Sequence, residues 1–94
     1  TGITSIWIDY NQNGLFETTE WVQPFTAATG GSTNITIPAT ATSGLTGMRV
    51  RSRLSGNQNG AGDACLAMGS GETEDFYITI ILSVIINIFI RVFH

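Results

Sequence analysis

Ninety-four residues allow one small domain with a single core, and 12% charged residues with a net charge of -3 leave little ionic surface. Four arginines, no lysine and seven acids give no basic patch, so phosphate neutralisation is out of reach and nucleic acid is not an expected partner. A single cysteine, Cys65, excludes an internal disulfide framework. It reads as a small apolar filler, the alternative being a disulfide between chains. Eleven glycines, abundant Ser and Thr, and no extended 3.6-residue apolar period favour an all-β domain with many turns. The chain opens at Thr1 without a methionine or signal-like segment, as a processed mature protein or an excised piece would. Asn34-Ile-Thr36 matches an N-glycosylation sequon.

Near the start, Ser5 to Tyr10 is β-branched and aromatic and predicts a strand. It runs into Asp9-Tyr-Asn11-Gln-Asn13-Gly14-Leu15, with Glu20 at loop position 12, a spacing that fits an oxygen-ligand calcium loop. Asp9, Asn11 and Asn13 offer side-chain oxygens at positions 1, 3 and 5. Gly14 permits the turn, Leu15 offers a carbonyl and Glu20 a carboxylate. The competing reading is a metal-free β-turn on Asn13-Gly14, which leaves Glu20 unexplained. Calcium is the expected cation. Only Asp9 and Glu20 bring charge to these positions, so modest affinity is expected, suited to a calcium-rich compartment.

Trp21 to Phe25 is a short apolar segment that Pro24 directs to an edge or a strand end. Thr26 to Thr33 reads as a connection, Asn34 to Pro38 as a strand, and Ala39 to Gly47 as a second link. Met48 to Leu54 alternates, with Met48, Val50, Ser52 and Leu54 on one face and Arg49, Arg51 and Arg53 on the other. The arginine stripe has three readings: an anion site, a solvated face, or pairing with Glu72, Glu74 and Asp75 on a neighbouring strand. The last is favoured. Ser55 to Gly71 reads as a long mobile loop.

Three blocks together carry a family resemblance: Trp7-Ile-Asp-Tyr-Asn-Gln-Asn-Gly-Leu-Phe16, Ile37-Pro-Ala39 leading to Met48-Arg-Val-Arg51, and Gly71-Glu-Thr-Glu-Asp-Phe76. In order and spacing the chain resembles the GEVED domain, a β-sandwich module of large secreted and cell-surface bacterial proteins. The resemblance implies an antiparallel β-sandwich, Ig-like or jelly-roll-like, over residues 1–80, and a non-catalytic module outside the cell. It also implies that Glu72, Glu74 and Asp75 are signature acids. Glu74 and Asp75 are thereby additional candidate calcium ligands, or else partners of Arg49 and Arg51. Family domains usually carry more chain before the Trp-Ile-Asp block, so an N-terminal strand is expected to be missing.

From Ile78 every second residue is apolar up to Val92, which predicts a strand. The run is shorter than the roughly 20 residues of a membrane helix, which argues against a membrane anchor. Seventeen residues at about 3.3 Å each would extend roughly 55 Å, beyond a domain of roughly 30 Å diameter. The sequence therefore predicts a long C-terminal strand projecting from the domain. Residues 81–94 form the extension, and Ile80, Leu82, Val84, Ile86, Ile88 and Ile90 form an assembly strand that fills the missing place in the next copy. The alternative is a tail folded back as two shorter strands with a bend near Ser83 or Asn87.

No catalytic arrangement can be assembled, since His94 is the only histidine and Cys65 has no apparent imidazole partner. The expected function is a non-catalytic extracellular subunit, secreted or at the cell surface, that polymerises head-to-tail with itself. The alternative is a monomeric calcium-dependent carbohydrate-binding or adhesion module. Its glycan partners would stack on Trp7, Trp21 or Tyr10, although Trp7 reads more readily as core.

Overall fold

A computed structural model describes residues 1–82 and the strand at 85–91. The chain is all-β: β1 (Gly2–Ile8), a single 3-10 turn (Thr18–Glu20), β2 (Trp21–Ala28), β3 (Gly30–Thr36), β4 (Gly44–Leu54), β5 (Glu72–Ile80) and β6 (Ile85–Arg91). All strand pairings are antiparallel, in a four-stranded sheet of order β2-β1-β4-β5 and a two-stranded sheet β3-β6. Among the described residues no helix is long and apolar enough to cross a membrane.

The period-2 pattern gives the four-stranded sheet two chemically distinct faces. On one, Ile6 and Ile8 of β1, Met48 of β4 and Ile80 of β5 form a buried cluster with Ile35 of β3, Ile37 and Ala41. On the other, Ser5 and Trp7 stand beside Arg51 and Arg49, their register partners on β4. Among the described residues no strand covers this second face. It is covered by the segment between β4 and β5, so β1 is buried on both sides.

That covering segment reads from sequence as a mobile loop, and the structure fastens it instead. The Trp7 indole donates to the Ala61 carbonyl at 2.9 Å, and Ser5 Oγ donates to the Asn59 carbonyl. Asn59 in turn donates from Nδ2 to the carbonyls of Ile3 and Arg51, at 3.0 and 2.9 Å. Arg51, only 6% exposed, donates to the carbonyls of Asp63 and Leu66, and Arg53 donates to those of Gln58 and Ser70. The arginine stripe is thus spent mainly on backbone carbonyls. Burial, followed by the charge of Arg49, holds the Arg51 guanidinium below its ordinary pKa.

Pro24 does sit on an edge strand. Between the Thr4–Phe25 and Ile6–Val22 register pairs one residue of β1 faces two of β2, Gln23 and Pro24, so proline occupies a bulge where it owes the ladder no N–H. Two expected connections are shorter than predicted, because β2 extends to Ala28, β3 starts at Gly30 and β4 starts at Gly44. Ladder pairing overrides the weak strand propensity of the Ala and Gly residues in these stretches. Cys65 is exposed, not a filler.

The largest difference lies in the tail. The expected straight projecting strand from Ile78 to His94 is not what forms: β5 stops at Ile80, and β6 returns antiparallel on β3 from Thr36–Ile85 to Gly30–Arg91. The molecule's longest dimension is 33 Å, and the return lets the backbone groups of β3 and β6 satisfy one another. Of the residues assigned to an assembly strand, Ile80 is buried in β5 and Leu82 is exposed just beyond it. Ile86, Ile88 and Ile90 lie opposite Ile35, Thr33 and Gly31. Val84, Ser83 and His94 fall outside the described residues.

Gly71, where the covering segment enters β5, has φ +106°, and a Cβ there would lie 2.6 Å from the Ser52 carbonyl oxygen and 2.8 Å from Arg53 Cγ. Both backbone conformation and space demand glycine. Gly71→Ala is expected to cost about 1–3 kcal/mol, read as a lower urea midpoint with unchanged m-value.

Candidate functional site

The Asp/Asn loop hangs from the end of β1 and is anchored to β4. Asp9 donates its N–H to the Gly47 carbonyl at 3.0 Å, and its own carbonyl accepts from Thr46 Oγ1 at 2.7 Å. Its buried carboxylate then organises the turn: Oδ1 accepts from Asn13 N at 3.2 Å and Oδ2 from Gly14 N at 2.9 Å. Gln12, at φ 54°, and Gly14, at φ 83°, take the left-handed conformations that let the chain curl around it. Asn13 Oδ1 accepts from Leu15 N at 3.0 Å, and the Gln12 amide ties the loop tip to the carbonyls of Thr42 and Ser43.

The far side closes through two acids. Glu20, buried at the end of the 3-10 turn, accepts from Glu17 N at 2.9 Å and reaches Asn11 N at 3.5 Å. Glu17 Oε1 accepts from Asn11 Nδ2 at 2.7 Å and from Asn13 Nδ2 at 2.8 Å. Asp9, Asn11, Asn13 and Glu20 are therefore brought into one hydrogen-bonded ring, and Leu15 joins it through its N–H. Glu17 was not singled out from the sequence. Its signal was available, because it occupies loop position 9, where calcium loops often ligate through water.

The donor set has the right chemistry for a hard cation: three carboxylates, two amide oxygens and a backbone carbonyl at Leu15. Among the described residues no group of three or more acidic, histidine or cysteine side chains would hold a metal on its own. A cation here must draw on the amide oxygens of Asn11 and Asn13, whose Nδ2 groups face Glu17. Tyr10, half-buried beside the loop, has its phenol pushed up by burial and then by the charge of Glu20, so it stays neutral.

Of the β5 acids, only Asp75 pairs with the arginine stripe. It lies opposite Arg49 in register and accepts a bidentate pair, Nε to Oδ1 at 2.7 Å and Nη2 to Oδ2 at 2.9 Å. Arg49 also donates to the Ala64 carbonyl and sits 5.1 Å from the centre of the Phe16 ring. Opposite Arg51 stands Thr73, whose hydroxyl accepts from Nε at 2.9 Å. Glu72 and Glu74 lie opposite Ser52 and Val50, on the other face, and are exposed. A one-residue alternation thus separates Glu72 and Glu74 from the arginines they were expected to meet. Neither Glu74 nor Asp75 hydrogen-bonds to the Asp/Asn loop.

A family model described as the GEVED domain matches residues 4–79. The chain belongs to the GEVED domain family. The match covers the four-stranded sheet and β3 and ends before β6. Within the GEVED domain the Gly71–Phe76 block opens β5: its glycine makes the tight entry and Asp75 makes the bond to Arg49. Neither the comparison with curated proteins nor that with solved structures gives a match.

The hydrogen bonds from Arg49, more than its charge, hold the Asp75 carboxyl below the ordinary aspartate range, and those bonds hold the guanidinium above its own. A depressed carboxylate stabilises the fold above the unfolded pKa of about 3.9, and that stability is lost as pH falls through the folded value. Because Asp75 is 55% exposed the contribution is small, about 0–1 kcal/mol. Arg49→Met is expected to raise the Asp75 pKa in a carboxyl NMR titration and to flatten the acid limb of the stability–pH curve.

Proposed function

We propose that this GEVED domain is a non-catalytic, extracellular structural module that assembles with copies of itself by exchanging strand β6. The supporting observation is the isolation of β6. Among the described residues its ladder partner is β3 alone, and in sequence it is separated from β5 by residues 81–84. The same β3 register formed between copies would keep every ladder bond and add only the entropy of association, which makes strand exchange a low-cost route to assembly. Exposed Ile81 and Leu82 lie in the link that would have to straighten. The two sheets are read as the layers of a β-sandwich, Ig-like or jelly-roll-like, because Ile35 of β3 packs with Ile6, Ile8 and Met48.

Register supplies the test. Thr33 and Ile88 are directly opposed, so Thr33→Cys with Ile88→Cys, in a Cys65→Ser background, should oxidise to a disulfide across the β3-β6 ladder. Exchange predicts a ladder of covalent oligomers on a non-reducing gel, and fibres or rings in negative stain. Exclusively monomeric, internally bridged chains would refute it.

The Asp/Asn loop is proposed to bind calcium through oxygens of Asp9, Asn11, Asn13 and Glu20 and the Leu15 carbonyl, with Glu17 added on the structural grounds above. Binding to the folded state alone stabilises by mass action, about 2.7 kcal/mol at a hundredfold excess over Kd. Calcium should therefore raise the melting temperature of the wild-type chain and leave that of Asp9→Ala unchanged. An equal response in both would place the cation elsewhere.

A further inference from the structure

Trp7 offers no ligand platform, because it is fully buried beneath the covering segment, whereas Trp21, its register partner, is half-buried and lines a separate cleft with Tyr10. The exposed aromatic surface of the arginine face lies at its β5 edge. Gly47 and Tyr77 are directly opposed on β4 and β5, and Phe16 leans over Gly47 from the Asp/Asn loop. With no side chain on Gly47, a cleft of about 180 Å³ opens there, lined by Phe16, Gly47, Met48, Asp75, Phe76 and Tyr77. Tyr77 is 83% exposed, so its ring is open to a ligand.

We infer that this cleft binds one ring of a neutral pyranose sugar. Phe16 and Tyr77 offer apolar surface for the C–H face of such a ring. Asp75 lines the rim, its two oxygens each holding one Arg49 donor, and its exposure leaves lone pairs for ligand hydroxyls. Arg49 is already committed to Asp75, the Ala64 carbonyl and the Phe16 ring, so among the described residues the cleft has no free cation to recruit an anionic sugar. The net charge of -3 disfavours one further. The volume falls below the roughly 300 Å³ at which sites for drug-sized ligands begin, which fits a single ring. Phe16 follows Leu15 and precedes Glu17, so the hydrogen-bonded loop fixes one wall of the cleft.

Strand exchange has no part in this argument, and a chain that failed to assemble would bind alike. The test is an NMR titration of the 94-residue chain with methyl α-D-mannoside, methyl β-D-glucoside and methyl β-D-galactoside, with D-glucuronate as the charged counterpart. Ring resonances of Tyr77 and Phe16 should shift saturably with at least one neutral glycoside, and less with glucuronate. Tyr77→Ala should weaken that binding about tenfold. Gly47→Ala should weaken it too while keeping the fold, since its Cβ meets only Phe16 Cζ, at an ordinary 3.6 Å. No saturable shift with any of the three, equal affinity in Tyr77→Ala, or equal binding of glucuronate would each overturn the inference.

Discussion

Arg51 is a charge buried without a carboxylate. Its guanidinium lies between the sheet and the segment that follows β4, and its donors go to two backbone carbonyls and the Thr73 hydroxyl. Taking a cation out of water costs several kcal/mol unless its donors are met, and carbonyl dipoles meet them here. The irregular segment consequently cannot drift from the sheet without stranding a charge. The second face of β1 depends on that cover, since Trp7 and Ser5 are hidden by the same segment and bonded to it.

Strand β4 then connects this cover to the Asp/Asn loop. Its odd-numbered side chains hold the covering segment, while its first residues hold Asp9 through Gly47 and Thr46. Arg49 stands between the two, stacked on Phe16 of the loop and bonded to Asp75 of β5 and to Ala64 of the cover. Loop, cover and signature acid therefore share one strand as a common support, and a change in loop geometry is felt first at Phe16.

Much of this was legible in the sequence. The Asp9–Gly14 turn, the edge position of Pro24, the burial of Trp7 and the alternation of β4 all follow from side-chain types at fixed spacing, and the structure has each of them. The partners of Arg51 and Arg53 were not legible, because they are mostly backbone carbonyls and every residue has one. Glycine-rich composition suggested mobility for the same reason: it reports what the cover lacks in side chains, not what holds its backbone. In the tail, alternation predicted strand correctly but carried no information on where the strand breaks, since neither Ser83 nor Asn87 forms a recognisable turn pair.

The way the cover is held separates two properties that usually travel together. Its carbonyls are gripped by Trp7, Ser5 and the three arginines. Among the described residues only Ser55, Asn57, Gly60, Asp63 and Leu66 show an acceptor for their own N–H. Such a segment is fixed in position yet leaves most of its amide hydrogens unprotected. Solvent exchange would report it as open while a protease, which must pull several residues into extended form, would find it closed.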